Sequence, residues 1–256
     1  MTKTETAAAS KPGRAHETRI VIDAPIEEVW KALTDANALS RWFAPRMTVE
    51  PGAGGFIVAD FGPGLEWKTA IEVWEPNRHL RLTETRDRVL SASAVNEKLE
   101  PCRLVEDFYL ETEKGKTVLR LVHSGFGSSA GWDQEYEGTK GGWPVCFFRL
   151  KEGLERHRDE TVRNIILPVV GRGIGPEEAL ARVEAALPQE FEAAFRGTFE
   201  MGGVLPDLNG AVFSVSAQAS AEGSVAYVEL VLFGLAETQA GAIESQWKDR
   251  LAQLFA

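Results

Sequence analysis

Cysteine is scarce: the 256-residue chain has two, Cys102 and Cys146, far apart and without the paired spacing of a zinc or redox site. A disulfide scaffold is excluded, and two unpaired thiols fit a reducing compartment, so the expected location is cytoplasmic. No apolar run reaches the roughly 20 residues that span a bilayer. The longest, Tyr227 to Ala236, is interrupted by Glu229, and membrane insertion is not expected. Positive charge is in the minority, 28 Lys+Arg against 38 Asp+Glu for a net charge of −10, with no local basic patch. Such a chain repels a phosphate backbone, which argues against a nucleic-acid partner. Enzyme signatures are missing too: there is no G-x-S-x-G elbow, no H-E-x-x-H, no G-x-x-x-x-G-K-[ST] and no G-x-G-x-x-G after a strand. Gly171 to Gly175 is glycine-rich but runs into Pro176, so it reads as a connection. These patterns predict no cofactor and no metal.

What is present is ample material for a core, with 44% hydrophobic and 26% charged residues. Residues 1–16 are small and polar and read as a disordered lead-in. Thr18, Ile20 and Ile22 then alternate, as in a half-buried strand. Ile26, Val29, Trp30 and Leu33 switch to helical spacing, with Pro25 suited to the first helical position and Glu27 and Glu28 favourable against the helix dipole. Asp35 can cap a second short helix carrying Leu39, Trp42 and Phe43, which Pro45 stops.

From Val49 to His123, glycine- and proline-bearing turns separate alternating runs, the pattern of an antiparallel meander. Residues from about Val89 to Pro101 break that alternation and read as an excursion that could cover a cavity mouth. After a polar stretch, Gly125 to Gly142, the residues Trp143, Phe147, Leu150 and Leu154 predict an amphipathic helix of about four turns. Plugged against the curved sheet, it would enclose a single core.

The succession IDAPIEEVW (Ile22 to Trp30), RWFAP (Arg41 to Pro45), GGF (Gly54 to Phe56), EPNR (Glu75 to Arg78), TVLRLVHSGF (Thr117 to Phe126) and Gly142-Trp143 resembles the START-like (SRPBCC, Bet v 1-like) superfamily. Within it, the chain is similar to the branch named after the C-terminal domain of the activator of Hsp90 ATPase. The resemblance covers residues 17–158 and implies an α+β helix-grip fold, a curved antiparallel sheet around a long C-terminal helix. It also implies an internal cavity that in relatives holds apolar small molecules. An Hsp90-type partner is the weakest implication. Chaperone-stimulating members carry an additional N-terminal domain, and here a short polar tail precedes the first strand.

Residues 159–175, with Pro168 and three glycines, read as a linker. Residues 176–256 then give a helix with Leu180, Val183 and Leu187, strands around Val212 and Tyr227, and a last helix bearing Ile243, Trp247, Leu251 and Leu254. The order matches the end of the first unit, so this segment reads as a smaller α+β partial repeat lacking the early helix pair. A unit of about 80 residues is marginal alone. It should pack on the first domain or, in a homodimer, on a second copy.

If Leu119 and Leu121 face inward, period two places His123 with them, Glu84 after Leu80 and Leu82, and Glu106 between Leu104 and Phe108. Three ionisable groups on an apolar face either satisfy one another or meet a ligand's polar atoms. Trp42, Phe43, Trp67, Phe108, Trp143 and Phe147 would line the pocket, or simply pack the core. Two functions follow: non-covalent binding of an apolar or amphipathic small molecule, which is preferred, and a cyclase- or dehydratase-type reaction. The second needs His123 as acid or base within hydrogen-bond reach of Glu84 or Glu106.

Overall fold

In the computed structural model, which describes residues 13–62, 66–87 and 99–256, the chain opens with strand β1 (Arg14–Ile22). Of the expected lead-in, residues 1–12 lie outside the described residues, while Arg14 to His16 already belong to β1. Helix α1 (Ile26–Thr34) buries Val29, Trp30 and Leu33, the stripe its spacing predicts, and Pro25 stands at its N-cap, one position earlier than expected. Asp35 caps α2 (Ala36–Leu39) by accepting from the Ala38 amide at 2.9 Å. The Trp42 indole donates back to the Ala32 carbonyl at 2.9 Å, which folds the aromatic pair Trp42 and Phe43 under α1.

Six further strands follow: β2 (Arg46–Glu50), β3 (Phe56–Asp60), β4 (Glu66–Glu75), β5 (His79–Arg86), β6 (Cys102–Glu113) and β7 (Lys116–Phe126). They pair antiparallel in the order β1-β7-β6-β5-β4-β3-β2, so the first strand lies beside the last. The excursion expected near residues 89–101 lies mostly outside the described residues. Gly125 forms a bulge opposite β1, where the register jumps from Ala15↔Ser124 to Arg14↔Phe126. Its φ of +91° and a Cβ position 2.0 Å from the Arg103 carbonyl oxygen leave room for glycine alone. The extra residue turns Phe126 inward, next to the His123 ring at 4.5 Å.

Helix α3 (Asp133–Arg156) crosses the curved sheet and buries Trp143, Phe147 and Leu150 in the main core. It begins ten residues earlier than the sequence predicts. Gly138, Gly141 and Gly142 read as loop and Pro144 as the start of the helix, yet the first turns are held from both sides: Trp132 is fully buried beside Leu104 and Phe126, and Gly141 lies against Glu200. Tertiary contact overrides the weak helical preference here.

Residues 159–175 are not a linker, because most of them form β8 (Val162–Arg172). Its inward row, Ile165, Leu167 and Val169, was masked by Pro168, which an edge strand tolerates. After α4 (Pro176–Ala185) come β9 (Glu192–Arg196), β10 (Glu200–Leu205), β11 (Ala211–Ser220) and β12 (Gly223–Phe233), then α5 (Glu237–Leu254). The second sheet runs β8-β12-β11-β10-β9, again with its first strand beside its last. Helix α4 takes the place that the α1 and α2 pair holds in the first unit. One face of this sheet packs Phe213, Val215, Val228 and Leu230 under α4 and α5.

The other face of the second sheet meets the back of α3 through Val212, Val231 and Phe233 against Phe148. Phe148 touches Phe195 edge-on at 5.7 Å, and the Arg149 guanidinium pairs with Glu229 between the layers. Arg41 donates to the carbonyls of His157 and Glu160, both at 2.8 Å, fastening the end of α3 to the first unit. The smaller unit thus packs on the first domain, and α3 is buried on two sides.

Candidate functional site

Pleating sets the inner row of each central strand, and register aligns the rows. Leu82 of β5 lies opposite Glu106 of β6, which lies opposite His123 of β7. Glu84, two residues beyond Leu82, faces the same side. The three ionisable residues expected on the apolar face are therefore neighbours.

Between this face, α2 and α3 is a cavity of about 40 Å³, room for on the order of three water molecules. The expected hollow is largely filled. Phe43 stacks on Trp143 with centroids 5.6 Å apart and an 8° angle, Phe108 meets Trp143 edge-on at 5.5 Å, and Phe43 packs against Trp42 at 5.4 Å. Trp42, Phe43, Trp67, Phe108 and Trp143 line the cavity, as do Glu84 and Glu106. Two of the expected residues are not among the lining: Phe147 lies deeper in the core behind Trp143, and His123 is covered by the same indole. Aliphatic walls come from Leu33, Leu39, Leu80 and Leu82, whose spacing marked them only as helix or strand faces, and from Met47 and Ile57, which no sequence pattern singled out.

The polar end has members the sequence analysis did not single out. Arg86, two residues beyond Glu84 on the same face, pairs with Glu84 and with Glu135 of α3. His16 of β1 stands 5.3 Å from the His123 ring. Period two would have found Arg86; Glu135 sat in a stretch read as loop and His16 in the presumed tail.

The electrostatics follow from burial. The Glu106 carboxyl is pushed up to about 8, first by desolvation and then by the Glu84 charge, against the attraction of Arg86. The 19% exposure that its side chain retains is consistent with its place on the cavity wall. Burial also holds His123 well below its ordinary range, with His16 and Arg86 adding to the effect. His16 is lowered to about 4 by burial and by Lys140. All three groups are neutral at pH 7.

The Trp143 indole donates to His123 Nδ1 at 3.2 Å, which fixes the neutral tautomer with hydrogen on Nε2. That Nε2 has no hydrogen-bond partner, and Glu106 Oε1 lies 3.8 Å away, beyond hydrogen-bond reach. An acid–base pair is not assembled in this arrangement. Among the described residues, no group of three His, Cys, Asp or Glu side chains is placed to hold a metal ion. No helix among them is long and apolar enough to cross a membrane.

Several solved structures are similar to parts of the chain. Protein MLL2253 from Mesorhizobium loti is 26% identical over 56% of this chain and 98% of its own, with a TM-score of 0.47. The Aha1 dimer protein from Colwellia psychrerythraea is 21% identical over 56% and 97%, with a TM-score of 0.45. DynU16, a putative protein in the dynemicin biosynthetic locus, is 18% identical over 94% of this chain and 97% of its own, with a TM-score of 0.44. No curated protein matches the chain. The family described as Activator of Hsp90 ATPase homolog 1-like protein matches residues 23–155, just over half of the sequence, which takes in α1, the sheet from β2 to β7 and nearly all of α3. The chain belongs to that family, within the SRPBCC superfamily of ligand-binding helix-grip folds.

Proposed function

We propose that the chain binds an apolar or amphipathic small molecule, without covalent chemistry, between the curved sheet and α3. The observation that carries this reading is the pocket's make-up: aromatic and aliphatic walls with two carboxyl side chains, Glu84 and Glu106, at one end. That composition, mostly apolar with few polar anchors, is typical of small-molecule sites. A ligand larger than a few waters requires the Phe43 ring to leave the Trp143 face. Phe43 follows the short helix α2 and is only half-buried, so it is the wall that can move.

The test is a fluorescence titration with the apolar probe N-phenyl-1-naphthylamine, together with native mass spectrometry of protein from its own host. Ala59 of β3 also lines the cavity; saturable one-site binding is expected, weakened at least tenfold by Ala59→Leu, which fills the cavity, and strengthened by Phe43→Ala. Absence of saturable binding, or equal binding by wild type and a folded Ala59→Leu variant, overturns the reading.

A further inference from the structure

The acids at the end of the cavity are unevenly paired. Among the described residues, Glu84 and Glu135 each pair with a terminal nitrogen of the Arg86 guanidinium, whose Nε has no hydrogen-bond partner. Arg86 does not line the cavity, whereas Glu84 and Glu106 do. Glu106 faces Glu84 and Arg86 from β5, His123 from β7 and Glu135 from α3, with His16 of β1 behind His123. Among the described residues no hydrogen bond reaches its carboxyl, the nearest ion-pair contact being His123 Nε2 at 3.8 Å. Every acid in the cluster but this one has a cationic partner.

We infer that the ligand class is an organic cation: an apolar, ring-bearing body carrying one protonated amine, the body between Phe43, Trp143 and Phe108 and the ammonium against Glu106. This rests on the small-molecule reading above and adds the sign of the ligand's charge. A carboxylate-bearing ligand such as a fatty acid would bring a like charge beside Glu84, while the Arg86 guanidinium, two of whose nitrogens are paired, does not line the cavity. An ammonium gains on two counts. It supplies the partner that Glu106 lacks, and the surrounding indole and phenyl faces attract a desolvated cation.

Binding then has a proton balance. The empty site holds Glu106 as the acid at pH 7, because burial and Glu84 raise it to about 8. Pairing with an ammonium favours the carboxylate, so the carboxyl proton leaves to the buffer, close to one per ligand bound.

The test uses three probes with one body: 2-(1-naphthyl)ethylamine, 2-(1-naphthyl)ethanol and 1-naphthaleneacetic acid. Each is titrated calorimetrically at pH 7 in buffers of different ionisation enthalpy. The amine is expected to bind at least tenfold tighter than the alcohol and to release close to one proton, with the acid weakest. Glu106→Gln removes the amine's advantage over the alcohol and the proton release. An alcohol that binds as tightly as the amine, or an acid that binds best, overturns the cation inference and leaves apolar binding standing. Failure of all three probes overturns the small-molecule reading itself.

Discussion

Replacing Glu106 by Gln should stabilise the protein, and by an amount that grows with pH. In the unfolded chain this carboxyl ionises near its ordinary 4.5, and in the folded protein near 8. Between those values the native state holds a proton that the unfolded state has released. Stability therefore falls by about 1.4 kcal/mol per pH unit as pH rises. The contribution is whole below pH 4.5 and gone above 8, a total of about 5 kcal/mol, of which about 3 kcal/mol is lost by pH 7. Gln has the shape of the protonated acid and does not titrate. The difference between variant and wild type should start near zero at pH 4.5, reach about 3 kcal/mol at pH 7 and level off near 5 kcal/mol at pH 9. Urea unfolding followed by tryptophan fluorescence and circular dichroism at these three pH values reads it directly. A difference that does not vary with pH, or a variant less stable than wild type at pH 9, would refute the argument.

His16 acts with the opposite sign. Lowered to about 4 from 6.5, it contributes stability that is present above pH 6.5 and lost as pH falls to 4, about 3 kcal/mol in all. Urea midpoints in the Glu106→Gln background, where the two slopes cannot cancel, should show this loss, and His16→Gln should flatten it. Trp143→Phe removes the donor to His123 Nδ1 and should cost about 1–3 kcal/mol. Nitrogen-15 NMR of the imidazole should change from a single Nε2–H tautomer to a mixture, and an unaltered spectrum would contradict the assignment. Arg149→Met strands Glu229 between α3 and the second sheet and should cost about 3–5 kcal/mol. Adding Glu229→Leu should restore most of that, as thermal unfolding of the single and double variants would report.

Much of the site could be read from alternation alone. Leu119, Leu121 and His123 share a face, as do Leu82 and Glu84, and these are the side chains that converge in the folded sheet. Alternation gives a face but not a neighbour, so the row Leu82, Glu106, His123 became visible only with the register. Arg86 continues the row of Glu84 and was there to be found. Glu135 was hidden because glycines and a proline disguise the first turns of α3, whose helicity depends on packing from two sides. The same packing explains β8, in which Pro168 argues for a loop until a neighbouring strand fixes it at an edge. The size of the cavity depends on how Phe43 and Trp143 are rotated, and no sequence pattern encodes a rotamer. His123 sits behind an indole for the same reason.

Helix α3 is a wall common to both halves of the molecule, carrying Trp143 and Phe147 inward and Phe148 and Arg149 outward. Melting either sheet would strip one side of it and bare apolar surface. Heat should accordingly take the two halves apart in a single cooperative step. A polypeptide cut after His157 should be sticky and poorly soluble, since the outer row of the helix would meet water.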